Sequence, residues 1–127
     1  MDEIRATLEA CRGQARARIV VLVGRDGLII DQATGPAPVE EVAPAVDDEL
    51  AAAEATELLT VADRLFAEAL GTVAPDEIAA FAGDAAVRLR RLAGGDALML
   101  VLPVDADPGE ARAALDAAAP RLDEALA

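Results

Sequence analysis

The apolar positions of this chain fall into short solid runs and longer spaced stripes. Two solid runs, Ile19–Val23 and 28–30, flank Gly24-Arg25-Asp26-Gly27. Asp-Gly between runs rich in β-branched residues is a strong hairpin signal, because Gly27 takes a positive φ at no steric cost. Neither run alternates with polar residues, so both strands are expected to be covered on both faces. The hairpin, with strands 17–23 and 28–32, therefore needs helices above and below it. A third solid run, 97–102, has the same character. It is expected to lie beside 19–23 at the centre of a sheet.

The spaced stripes predict helices. Residues 2–12 form the first, with Asp2 as cap, Ile4, Leu8 and Cys11 in one stripe and Gly13 at the end. Residues 48–70 form the second, stopped by Gly71. Leu58, Ala62, Leu65 and Ala69 make one stripe there, and Leu59, Phe66 and Leu70 a second beside it. That apolar face is wider than packing on one sheet requires. Either the helix is deeply buried or the second stripe meets another subunit. The last helix is Pro108–Leu126. Asp107 caps it, Pro108 takes the first position, and Glu110 is placed to complete a capping box. Ala111, Leu115, Ala118, Leu122 and Leu126 are expected to face the sheet, and Pro120 to kink or divide the helix.

Between the hairpin and the second helix, residues 34–46 carry Gly35, Pro36, Pro38 and Pro44 with Glu40 and Glu41. The prolines block a continuous helix. The connection, about 34–47, reads as exposed and mobile, with room for a short helical turn around 39–43. Further on, strands 77–82 and 85–92 are joined by Gly83-Asp84. Val87 and Leu89 alternate there with Arg88 and Arg90, as in a half-exposed strand. The order is α-β-β-α-β-β-β-α, a single α+β domain with a sheet covered on both faces.

Composition narrows the chemistry. The 127 residues include no His, Tyr or Trp, every one of the 11 cations is Arg, and the net charge is −13. Without His the usual general base near neutral pH and the commonest metal ligand are both missing. Without Lys, Schiff-base chemistry and the phosphate-cradling lysine of a P-loop are excluded. No catalytic residue, metal site or cofactor is expected. With only Phe66 and Phe81 as rings, the core must be aliphatic and thin. Residues 26–63 hold ten acids and no Arg. Such a field repels nucleic acid and anionic membranes, and it serves either solubility or docking of a basic partner. Lone Cys11 suits a reducing compartment and a small apolar role, so a cytoplasmic setting is expected. No run is long enough to span a membrane, and the acidic start, Met1-Asp-Glu-Ile, does not read as a signal peptide. Arg without Lys, among so much Ala, points to a GC-rich bacterial genome.

The order of pieces resembles the Roadblock/dynein light-chain family. The resemblance rests on the short first helix, the Val20-Val-Leu-Val-Gly-Arg-Asp-Gly-Leu-Ile30 hairpin, the Ala-rich helix 50–70, and Gly95-Asp-Ala-Leu-Met-Leu-Val-Leu102 before a final helix. The 34–46 insertion and Pro120 depart from a minimal member. The resemblance implies a five-stranded antiparallel sheet with helices 1 and 3 on one face and helix 2 on the other. It also implies a homodimer through helix 2 and the next strand, at Leu58, Leu59, Ala62, Leu65, Phe66, Ile78 and Phe81. Its further implication is a scaffold or regulator of a small Ras-like GTPase, without catalytic residues. Candidate partner contacts are Glu54 and Glu57, on the polar side of helix 2, and Arg25 at the hairpin tip. Arg25 is a conceivable finger residue in trans or simply a polar turn residue. Two alternatives stay open: a structural homodimer in a signalling or motility complex, and a small-ligand sensor.

Overall fold

A computed structural model describes residues 2–35 and 47–127. The connection 36–46, with its expected helical turn, lies outside the described residues. The elements are α1 (Asp2–Ala15), β1 (Ile19–Val23), β2 (Ile29–Thr34), α2 (Asp48–Arg64) continued by a π-helical turn (Leu65–Ala69), β3 (Glu77–Phe81), β4 (Ala85–Arg91), β5 (Ala97–Pro103) and α3 (Pro108–Leu126). One antiparallel sheet runs β2-β1-β5-β4-β3.

The two solid apolar strands are neighbours at its centre, from Ile19↔Val101 to Val23↔Ala97. Alternation along each strand sorts their side chains into two layers. Val20, Leu22, Leu98, Leu100 and Leu102 pack under α1 and α3. Ile19, Val21, Val23, Met99 and Val101 pack under α2. Each face demands its own apolar set, which is why neither strand alternates in sequence.

β2 departs from expectation. Its apolar run predicts cover on both faces, but it is an edge strand, with Leu28 67% and Ile30 43% exposed. A bulge at Leu22/Val23 shifts the register beside them. The turn itself follows the sequence reading. Gly27 N–H donates to Gly24 O (2.9 Å), Gly24 N–H donates to Leu28 O (2.8 Å), and Gly27 has φ 85°. The β4–β5 turn repeats this pattern, with Gly95 N–H on Leu92 O and φ 96°. Gly27→Val should therefore cost about 1–2 kcal/mol, read by thermal melting; an unchanged melting temperature would contradict the strained backbone.

Helix ends differ where packing outweighs local preference. α1 runs through Gly13 instead of stopping there, because Leu8, Cys11 and Ala15 form one buried stripe. Arg16 takes the left-handed conformation in place of Gly13 (φ 58°), and Ala17 N–H closes the end on Arg12 O (3.0 Å). In α3, Asp107 accepts from Gly109 N–H (2.8 Å) as expected. Glu110 does not complete the capping box; its carboxylate lies 3.6 Å from Arg16. Pro120 does not divide α3, which continues to Leu126. Pro120 is exposed, and the buried Ala118, Ala119 and Leu122 hold the helix down on either side.

Candidate interaction surface

α2 begins at Asp47, whose side chain accepts from Leu50 N–H (3.0 Å). Its buried face is Ala52, Ala55, Leu59 and Ala62. This line crosses both stripes expected from the sequence. Leu59 and Ala62, expected at a dimer interface, pack inside the protomer against the sheet. Leu58, Val61 and Leu65 point outward instead, at helical spacing, and all three are exposed. Glu54 and Glu57 are exposed one turn before Leu58 and Val61, so acids and apolar residues share this outer face. Phe66 is half-buried.

The following strand, β3, is the other edge of the sheet, and among the described residues no strand pairs with its outer side. Its pairing with β4 is regular, from Glu77↔Arg90 to Phe81↔Ala86. Ala82 N–H donates to Ala85 O and Arg91 N–H to Asp76 O, both at 2.8 Å. Antiparallel hydrogen bonding alternates, so residues 78 and 80 bond to β4, and Glu77, Ala79 and Phe81 point their N–H and C=O groups outward. Ile78 packs on the α2 side. Phe81, 66% exposed, lies on the opposite face, beside Ala86. Ile78 and Phe81 therefore do not share a surface.

β4 corrects a second expectation. Its alternation predicts half-exposed Arg88 and Arg90, but their side chains are only 12% and 15% exposed. Glu77 holds both: Oε2 accepts from Arg88 Nη1 (2.7 Å) and Oε1 from Arg90 Nη2 (2.7 Å). Arg90 also donates to Asp116 of α3 (2.9 Å). Burial works against the Arg90 charge, but the bonds to Glu77 and Asp116 outweigh it and raise its pKa. The ladder ties the edge strand to the sheet and to α3. The sequence carried one sign of it, arginines alternating along a strand, but the acid lies on another strand. Nearby, Arg91 of β4 donates to Asp63 of α2 (2.6 Å).

Arg25 links the two neighbouring turns. Its guanidinium donates to Gly94 O, and its N–H donates to Asp96 Oδ1 (3.1 Å). That geometry fits a polar turn residue. Cys11 is buried, and burial pushes its thiol up to about 11, so it stays protonated near neutral pH. A cleft of about 810 Å³ between β4 and α3 is lined by six charged residues, among them Asp76, Glu77, Arg90 and Arg112.

No family model and no curated protein matches the sequence. Solved structures do. Gliding protein MglB from Thermus thermophilus superposes with a TM-score of 0.83 at 16% identity, over 97% of this chain and 87% of that one. MglC from Myxococcus xanthus gives 0.64 at 26% identity, over 97% and 98%. A Roadblock/LC7 domain from Streptomyces avermitilis gives 0.64 at 15% identity, over 96% and 97%. The chain has the Roadblock/LC7 fold. The outer face of α2 and the free edge of β3 are thus features of a Roadblock fold with α1 and α3 on one side of the sheet and α2 on the other.

Proposed function

We propose that this chain is a non-enzymatic homodimer that serves as scaffold or regulator of a small Ras-like GTPase. The observation that carries the reading is the outward stripe Leu58, Val61 and Leu65, together with the unpaired edge of β3, on a Roadblock fold. The two sheet edges differ. β2 carries a bulge, a device that discourages strand addition. β3 has no bulge, and small Ala79 and Ala80 at its middle. A two-fold axis through Ala79 pairs Ala79 with its mate and Glu77 of each copy with Phe81 of the other, which satisfies the outward backbone groups of these residues. Leu58, Leu65, Phe66, Ile78 and Phe81 then contribute side chains to the dimer, with Leu59 and Ala62 supporting them from inside the protomer.

Glu54 and Glu57 form the partner-facing part of this surface, and Arg25 contributes at the hairpin tip as a turn residue. The GTPase partner follows from the family resemblance together with the acidity of this face, and it implies a cytoplasmic setting. Among the described residues no helix is long and apolar enough to cross a membrane. A structural dimer in a motility complex is the second reading, favoured by the likeness to a gliding protein. A ligand sensor finds less support, since small-molecule pockets are mostly apolar and the cleft between β4 and α3 is walled by charges.

The test is binding of Ras-like GTPases from the same genome, measured by interferometry at rising salt. Association should slow as salt rises. The double variant Glu54→Arg/Glu57→Arg should bind at least about tenfold more weakly, with melting changed by no more than about 0.5 kcal/mol. Failure of every such GTPase to bind would overturn the GTPase reading. Salt-independent binding, or full affinity in the double variant, would leave the acids with solubility alone.

A further inference from the structure

Arg5 and Arg90 close on carboxylates in the same way. Nε and Nη2 of Arg5 both donate to Asp31 Oδ1, and Nε and Nη2 of Arg90 both donate to Glu77 Oε1. These two nitrogens share one edge of the planar guanidinium, the edge that takes a carboxylate or phosphate side-on. Arg91 departs from the pattern. Its Nη2 donates to Asp63 Oδ1 (2.6 Å), but its Nε is buried and has no hydrogen-bond partner among the described residues. A buried donor without an acceptor is costly, and native proteins keep few of them.

Arg91 lines a pocket of about 110 Å³ between α2 and the two turns at this end of the sheet, together with Gly24, Arg25, Thr60, Asp63 and Gly95. The Arg25 guanidinium lies over Gly95, where an added Cβ would meet its Nε at 3.5 Å. It donates to Gly94 O, and among the described residues no carboxylate pairs with it. Two guanidiniums thus line the pocket with one carboxylate, Asp63, which is already engaged with Arg91. The surplus is one positive charge. The space is well below that of a site enclosing a whole organic ligand, but it admits a single anionic group. We propose that this pocket binds one small free oxyanion, a carboxylate or a phosphate, through Arg91 Nε–H and the Arg25 guanidinium. The net charge of −13 opposes anions at a distance, so contacts within the pocket carry the binding. The bound anion links both sheet turns to α2. The site requires neither the dimer nor a GTPase.

The test follows the nitrogen-15 resonances of the arginine Nε–H groups in slightly acidic buffer, while sodium phosphate or sodium acetate replaces sodium chloride at constant ionic strength. The Arg91 and Arg25 signals should move together and saturate with at least one of the two anions. Saturation by acetate assigns the site to carboxylates, and saturation by phosphate assigns it to phosphates. The signals of exposed Arg64 and Arg112, outside the pocket, should not saturate. Arg91→Lys keeps the charge opposite Asp63 but removes the Nε edge. It should melt like the parent and, read on the Arg25 signal, bind the same anion at least about tenfold more weakly. If neither anion saturates the parent signals, the proposal is overturned, and Arg91 Nε is left to water or to a second bond from Asp63. Unchanged affinity in a folded Arg91→Lys variant would overturn it as well. If that variant fails to fold, Arg25→Gln takes its place, with the same tenfold loss expected on the Arg91 signal and unchanged affinity overturning the proposal.

Discussion

Leu100→Ala is expected to destabilise the fold by about 4 kcal/mol. Leu100 is fully buried on the central strand, under α1 and α3. Four alanines, Ala111, Ala114, Ala118 and Ala119, supply much of the α3 surface above that layer. An alanine has no rotamer with which to reach into a new void, so the cavity stays open and the cost falls toward the upper part of the usual range. A domain of this size has roughly 5–15 kcal/mol in all. Urea titration at fixed protomer concentration measures the change, because coupled dimerisation makes the midpoint concentration-dependent. A loss under about 1.5 kcal/mol would mean that the core repacks and that the thin-core description is wrong.

Glu77→Ala has the next largest expected effect, about 3 kcal/mol. It leaves Arg88 without its carboxylate and Arg90 with Asp116 alone, both in largely covered positions. Removing one partner from a covered ion pair leaves the other charge desolvated, and that penalty is the greater part of the cost. Asp116 is 60% exposed and keeps some compensation for Arg90, which sets the figure at the low end of the range for buried pairs. Glu77→Gln should recover part of the loss by accepting one of the bonds. Hydrogen exchange offers a second readout, since β3 should lose protection before β1 and β5 do. A change below about 1 kcal/mol would place the arginines in water, as the sequence alternation alone suggests.

The central strands were legible because apolarity at consecutive positions has one economical explanation, coverage on both faces. α3 was legible because Asp107-Pro108 is a strong start signal, and Pro120 falls on an exposed position where a lost hydrogen bond is tolerated. β2 misled for a reason of the same kind. Leu28 and Ile30 are apolar, but an apolar residue is not thereby a buried one, and strand order decides which strands lie at an edge. Gly13 is a poor local helix residue, and the burial of Ala15 beyond it overrode that preference. At the candidate surface, Glu54 and Glu57 do lie outside, where their place on the polar side of the helix puts them. The stripes of α2 were not legible, since a few tens of degrees of rotation moved Leu59 and Ala62 inward and Leu58 outward. The π turn and the Glu77 ladder had no reliable signal, because one inserts a residue without any marker and the other depends on a cross-strand register.

Sedimentation equilibrium tests the dimer most directly. The chain has a mass of 13.0 kDa, and at micromolar concentration the expected species has twice that mass. Ala79→Pro in the same experiment should sediment as a folded 13.0 kDa protomer. Its ring removes an N–H that points away from β4, which an edge strand tolerates, and blocks the place where a second β3 would pair. A parent chain that stays at 13.0 kDa throughout the micromolar range would contradict the account.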